Sequence, residues 1–180
     1  MVTKGELARR IANACRRVCE AEEPAESDSF YDKADCRQEL KKICEAIEGA
    51  VSESAGSIKE LLDDAVMAVM VLGEGKVVSL WYAWLDGLEK AAPDYEEMSV
   101  EELKNMSACA LREIQALPAD KDKPAMTEVL ITATAAIISS GGSAGDIFRA
   151  AAATAENTAR LLTAAGGAAA VANFFAGLAK

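Results

Sequence analysis

Apolar residues recur along this chain with the 3.6-residue period of amphipathic helices. Leu7, Ile11, Cys15 and Val18 fall on one face, and Leu40, Ile43, Cys44, Ile47 and Val51 repeat the pattern. A third stripe holds Ile58, Leu61, Leu62, Ala65, Val66, Val69 and Met70. The run Leu72-Gly73-Glu74-Gly75-Lys76 ends it, because glycine supplies the backbone freedom that helix ends need. A fourth helix is predicted over Val77 to Leu88, carrying Trp81, Tyr82 and Trp84. Pro93 and Asp94 break the chain. Ser99-Val100-Glu101-Glu102 reads as a capping box opening a helix to about Leu117. Residues 119–124 form a polar loop, with Pro124 placed to start the next helix, which ends at Gly141-Gly142. Ser143 caps a seventh helix to about Ala165, and Gly166-Gly167 separates a final segment, Ala168 to Ala179. Pairs such as Val77-Val78 and Ile137-Ile138 are too short to argue for a sheet. The expectation is an all-α domain spanning residues 1–180, an eight-helix antiparallel bundle or barrel with short connections.

Charge narrows the partners. The chain has 180 residues, 19 basic and 29 acidic, for a net charge of −10. Residues 124–180 hold three basic and three acidic groups, so the whole excess lies in residues 1–123. A nucleic-acid surface needs clustered Lys and Arg, so no nucleic-acid partner is expected. A membrane-surface helix needs a basic polar face, and no uniformly apolar stretch is long enough to span a bilayer, so no membrane partner is expected either. The Arg-interrupted N-terminal stretch lacks the apolar run of a signal peptide. Five cysteines without a CxxC pair read as free thiols in a reducing cytoplasm, Cys15 and Cys19 in a core stripe. There is no histidine, which removes the usual general base near neutral pH and the commonest transition-metal ligand.

Two short segments carry candidate chemistry. Gly73-Glu74-Gly75-Lys76 has half the glycines of a P-loop and no preceding strand, so by itself it is a turn. Asp28, Asp32 and Asp35 form the densest carboxylate cluster, and acids on a loop before a helix either hold Mg²⁺ through oxygen or stabilise the helix start. Trp81, Tyr82 and Trp84 sit beside the glycine turn, either in the core or lining a pocket.

The order of these features resembles the nucleotide-binding L subunit of bacterial dihydroxyacetone (glycerone) kinase. The likeness is carried most strongly by MSVEELKNM, PAMTEVLITATAAI and GDIFRAAAATAENTARLL, between Ser99 and Ala165. It implies a closed barrel of eight antiparallel helices, with ADP or ATP and Mg²⁺ at one end. It assigns the metal role to Asp28 and Asp35, with Lys33 at the position of the family's central aspartate and Asp32 available only through a one-residue shift. A positive charge there opposes a cation. The family's phosphate-binding turn corresponds to Leu72-Gly73-Glu74-Gly75, which assigns nucleotide contacts to Gly73, Gly75 and Lys76 but places Glu74 beside the phosphate. The family's nucleotide lid is missing between Leu162 and Gly167, leaving Gly167 from its closing motif, and Pro124-Ala125-Met126 lacks the family's lysine. The resemblance therefore implies a degraded nucleotide and Mg²⁺ site in a non-catalytic binding or regulatory subunit. Its partner would resemble the kinase K subunit, which carries the substrate on a histidine. Such a subunit is expected to expose an apolar or acidic patch near 73–76 and 28–35. The alternatives are a residual phosphotransferase or nucleotide-binding subunit, and an unrelated helical interaction module.

Overall fold

The computed structural model describes residues 1–22, 35–119, 124–162 and 167–180. It is all-helical apart from one small strand pair. The helices are α1 (Lys4–Glu20), α2 (Cys36–Glu53), α3 (Ile58–Met70), α4 (Lys76–Lys90), α5 (Val100–Gln115), α6 (Pro124–Ser139), α7 (Ala144–Leu161) and α8 (Gly167–Leu178). Strands β1 (Val2–Thr3) and β2 (Glu97–Met98) pair antiparallel, Val2 opposite Met98 and Thr3 opposite Glu97. Helical periodicity carries no trace of this pairing, because two residues are too few to alternate. The strands pin the N-terminus to the α4–α5 connection, where Lys4 N–H also donates to the Glu96 carbonyl at 2.7 Å.

Each helix packs against the next in sequence, and α8 packs back on α1, so the neighbour relations close on themselves. Local caps set the helix starts. Thr3 Oγ1 accepts from Glu6 N–H at 3.1 Å. Ser57 with Glu60, Ser99 with Glu102 and Ser143 with Asp146 form reciprocal capping boxes. Each satisfies amide groups that a helix start leaves without intrahelical partners.

The core is continuous. Trp81, Trp84, Phe174 and Phe175 pack edge to face, with ring centroids 4.8–6.2 Å apart. The Trp84 indole N–H donates to Thr134 Oγ1 at 3.1 Å, and that hydroxyl donates to the Leu130 carbonyl at 2.7 Å. Trp81 and Trp84 are thus core residues that join α4 to α8 and α6, while Tyr82 is only half-buried. Arg10 is buried and tied on three sides. It pairs with Glu6 at 2.9 Å, donates to the Leu178 carbonyl at 3.0 Å and lies 5.1 Å from the Phe148 ring centre. Two crossings are closer than side chains allow. A Cβ on Gly87 would meet Ala110 Cα at 2.4 Å, and one on Gly177 would meet Ala14 Cα at 2.5 Å.

None of the five cysteines is in a disulfide. Cys15, Cys36 and Cys44 are buried, and Cys19 and Cys109 are half-buried. A hydrogen bond with Cys15 and then burial push the Cys44 thiol up, and burial pushes Cys19 to about 11. A raised pKa leaves little thiolate, the nucleophilic form, at neutral pH at these two positions. Among the described residues no helix is long and apolar enough to cross a membrane.

Candidate functional site

The residues around the glycine turn form an open groove of about 1040 Å³ between α4 and α5, at the end of α3. Chain termination builds it. The Val71 N–H bonds to the Met67 carbonyl, Leu72 N–H to Val69 and Gly73 N–H to Met70, closing the last turn of α3. Gly73 then takes a φ of +83°, a left-handed conformation that glycine adopts without strain. The chain reverses, and α4 starts at Lys76 with Gly75 as its N-cap.

A helix start offers amides without intrahelical acceptors and the positive end of the helix dipole, the arrangement that binds anions. Here a carboxylate from within the chain already fills it. Glu39, on α2, accepts from Val77 N–H at 3.1 Å and from Val78 N–H at 3.2 Å through the same oxygen. Gly75 is what lets it approach, because a Cβ at that position would stand 2.0 Å from Glu39 Oε1. The φ of Gly75 is −166°, extended backbone open to any residue, so the requirement for glycine comes from space. Nothing local in the α2 sequence marks Glu39 for this role. It reads as one polar position on an amphipathic helix, and only the fold brings it 38 residues along the chain to α4.

The structure places the sequence-derived candidates unequally. Gly73, Gly75 and Lys76 come together at this groove, with Gly73 and Lys76 exposed. Gly167 does not join them: it is buried as the first residue of α8 and is absent from the groove lining. Asp35 is exposed at the start of α2 and makes no side-chain cap bond, although its carbonyl accepts from Glu39 N–H at 2.9 Å. Asp28, Asp32 and Lys33 lie outside the described residues. Among the described residues no group of three His, Cys, Asp or Glu is arranged to hold a metal ion. Arg37 does not line the groove. Its guanidinium is buried and donates to the Ala21 and Glu22 carbonyls at 2.9 and 2.8 Å, closing the C-terminal end of α1.

The groove has an apolar lining in Met70, Tyr82 and Leu117, and its charged lining residues are Glu74, Asp86 and Glu113 against Lys76. Lys90 bridges the two acids on its far wall, 2.7 Å from Asp86 and 3.2 Å from Glu113. Those contacts, Asp86 first, hold the ammonium above its ordinary pKa. Beside the groove, Met67, Met70, Val71 and Leu72 are exposed. The third apolar stripe predicts Met70 in the core. In the structure it is 51% exposed, because the stripe's inward face ends with Val69.

The fold and this site together define an all-α helical bundle whose one anion-receptive helix start at the groove is occupied by its own carboxylate. No family model matches the chain, and no curated protein or solved structure matches it.

Proposed function

We propose that this chain is a non-catalytic binding or regulatory subunit, related to the L subunit of dihydroxyacetone kinase, in which the nucleotide end no longer serves phosphate. The observation that carries the reading is Glu39 on the amides of Val77 and Val78. A carboxylate there uses the same donors that a phosphate would need. A phosphate must evict it, losing a cap worth about 1 kcal/mol plus a helix-dipole contribution of about 0.5 kcal/mol. That alone weakens binding by roughly tenfold, since 1.4 kcal/mol is a factor of ten. Glu74, exposed in the same groove, adds repulsion. Exposed Met67, Met70, Val71 and Leu72 beside this groove support the reading, while residues 28–34 of the expected patch lie outside the described residues. A partner resembling the kinase K subunit belongs to the same reading.

Isothermal titration with ADP and ATP, with and without Mg²⁺, tests it. The expected result is no binding tighter than about 100 μM, roughly −5.5 kcal/mol. Tighter, Mg²⁺-dependent binding by the unaltered chain overturns the reading in favour of a working nucleotide subunit.

A further inference from the structure

We propose that the exposed end of α3 and the adjoining groove form a docking surface for a basic amphipathic helix of a partner protein. The inference rests on the binding-subunit reading above and names the chemistry of what is bound.

Large apolar side chains are exposed at seven described positions: Met1, Met67, Met70, Val71, Leu72, Tyr95 and Leu161. Four of the seven cluster at the end of α3, with Val71 83% exposed. Clustering, rather than exposure of single residues, marks an interaction surface. Two of the four are methionines, whose flexible thioethers mould to a partner's apolar face. The patch runs into the groove through Met70, which belongs to both. A volume of about 1040 Å³ holds roughly two turns of a helix ~10 Å across. The described residues offer a partner strand only one short pair, β1 with β2, so a helix laid into the groove is the mode that fits.

Charge selects the helix. Glu74, Asp86 and Glu113 line the groove against Lys76, with Lys90 bridging Asp86 and Glu113, and Asp63 and Asp64 are exposed one turn before Met67, so acids still outnumber bases by five to two among these residues. An acidic rim around an apolar centre attracts Lys and Arg flanking an apolar stripe. The same rim repels an anionic lipid surface. It also disfavours a second copy of this chain, because a two-fold contact through this face would set acid against acid in a molecule of net charge −10.

The test uses the full chain and a fluorescent synthetic helix of leucine and lysine, about four turns long, read by anisotropy. A peptide of the same pattern with glutamate for lysine is the control. The unaltered chain is expected to bind the Leu/Lys helix at roughly tens of micromolar and not the Leu/Glu helix. Met70→Ser with Val71→Ser should weaken binding at least about tenfold. That pair leaves the net charge unchanged and alters exposed positions, so the fold is kept. Leu161→Ser, at another exposed apolar position, should change nothing. Equal binding by the Met70/Val71 variant overturns the proposal, since attraction to the overall negative charge would then explain the affinity. Absence of binding by the unaltered chain up to about 200 μM, roughly −5 kcal/mol, also overturns it. Self-association abolished by the Met70/Val71 variant reassigns the face to a second copy and overturns it as well. None of these results depends on nucleotide, so titration with ADP and ATP judges the other claim separately.

Discussion

Glu39 and Gly75 should behave as one unit. Glu39→Ala removes the acceptor for two first-turn amides of α4. Loss of a cap costs about 1 kcal/mol, and loss of a negative charge at a helix start about 0.5 kcal/mol more. The expected destabilisation is therefore about 1.5 kcal/mol, a fall in Tm of about 3–6 °C for a chain of this size. Gly75→Ala should cost a similar amount for a different reason. Its Cβ would lie 2.0 Å from Glu39 Oε1, so the carboxylate must swing away and the amides lose their partner. With Glu39 already replaced by alanine, that clash is gone, the extended backbone at Gly75 accepts alanine, and only a tight 3.1 Å contact with Val78 remains. The second substitution should then be nearly neutral. Urea denaturation of the four proteins of this double-mutant cycle reads the coupling directly. An interaction of about 1 kcal/mol or more, with the double variant no worse than either single one, is expected. Additive losses would refute the claim that Gly75 is glycine to admit Glu39.

Other consequences follow from particular contacts. Gly87→Ala and Gly177→Ala each push a methyl against a neighbouring helix backbone that cannot rotate away, and each should cost about 1–3 kcal/mol in chemical denaturation. Thr134→Val leaves the buried Trp84 N–H without its acceptor and should cost about 1–3 kcal/mol, with a change in Trp fluorescence. Asp146 has its pKa held near 2 by hydrogen bonds from Ser143 and from Arg149. A depressed carboxyl stabilises the fold above its unfolded pKa and loses that contribution as pH falls through its folded value. The Tm deficit of Asp146→Asn should thus be full near neutral pH and shrink between about pH 4 and pH 2. An unchanged deficit across that window would contradict it.

The helices were legible because each buries one face, and burial imposes the 3.6-residue period on the chain itself. The capping box at Ser99 and the cap at Ser143 were legible for a similar reason: the groups involved lie within one turn. Cys15 follows the same logic as a buried thiol. Met70 shows where the logic fails. It extends an apolar stripe in sequence, yet the stripe's last turn has no neighbour to cover it, and no local pattern reports where a neighbouring helix stops. The strand pair at Val2–Thr3 and Glu97–Met98 escaped for want of length.

At the candidate site the division is sharper. Gly73 and Gly75 announce a reversal of the chain, since a left-handed φ at Gly73 is a local demand. The sequence by itself determined the helices, their caps, this turn and the acidic balance, all set by neighbours within a few residues or by simple addition of charge. Only the tertiary structure decided that the start of α4 is filled, that Tyr82 lines a groove while Trp81 and Trp84 are core, and that Gly167 is buried outside that groove's lining. Those outcomes depend on contacts between residues far apart in the chain, such as Glu39 with Val77. Such contacts arise from how whole helices pack, and packing leaves no periodic mark on either partner.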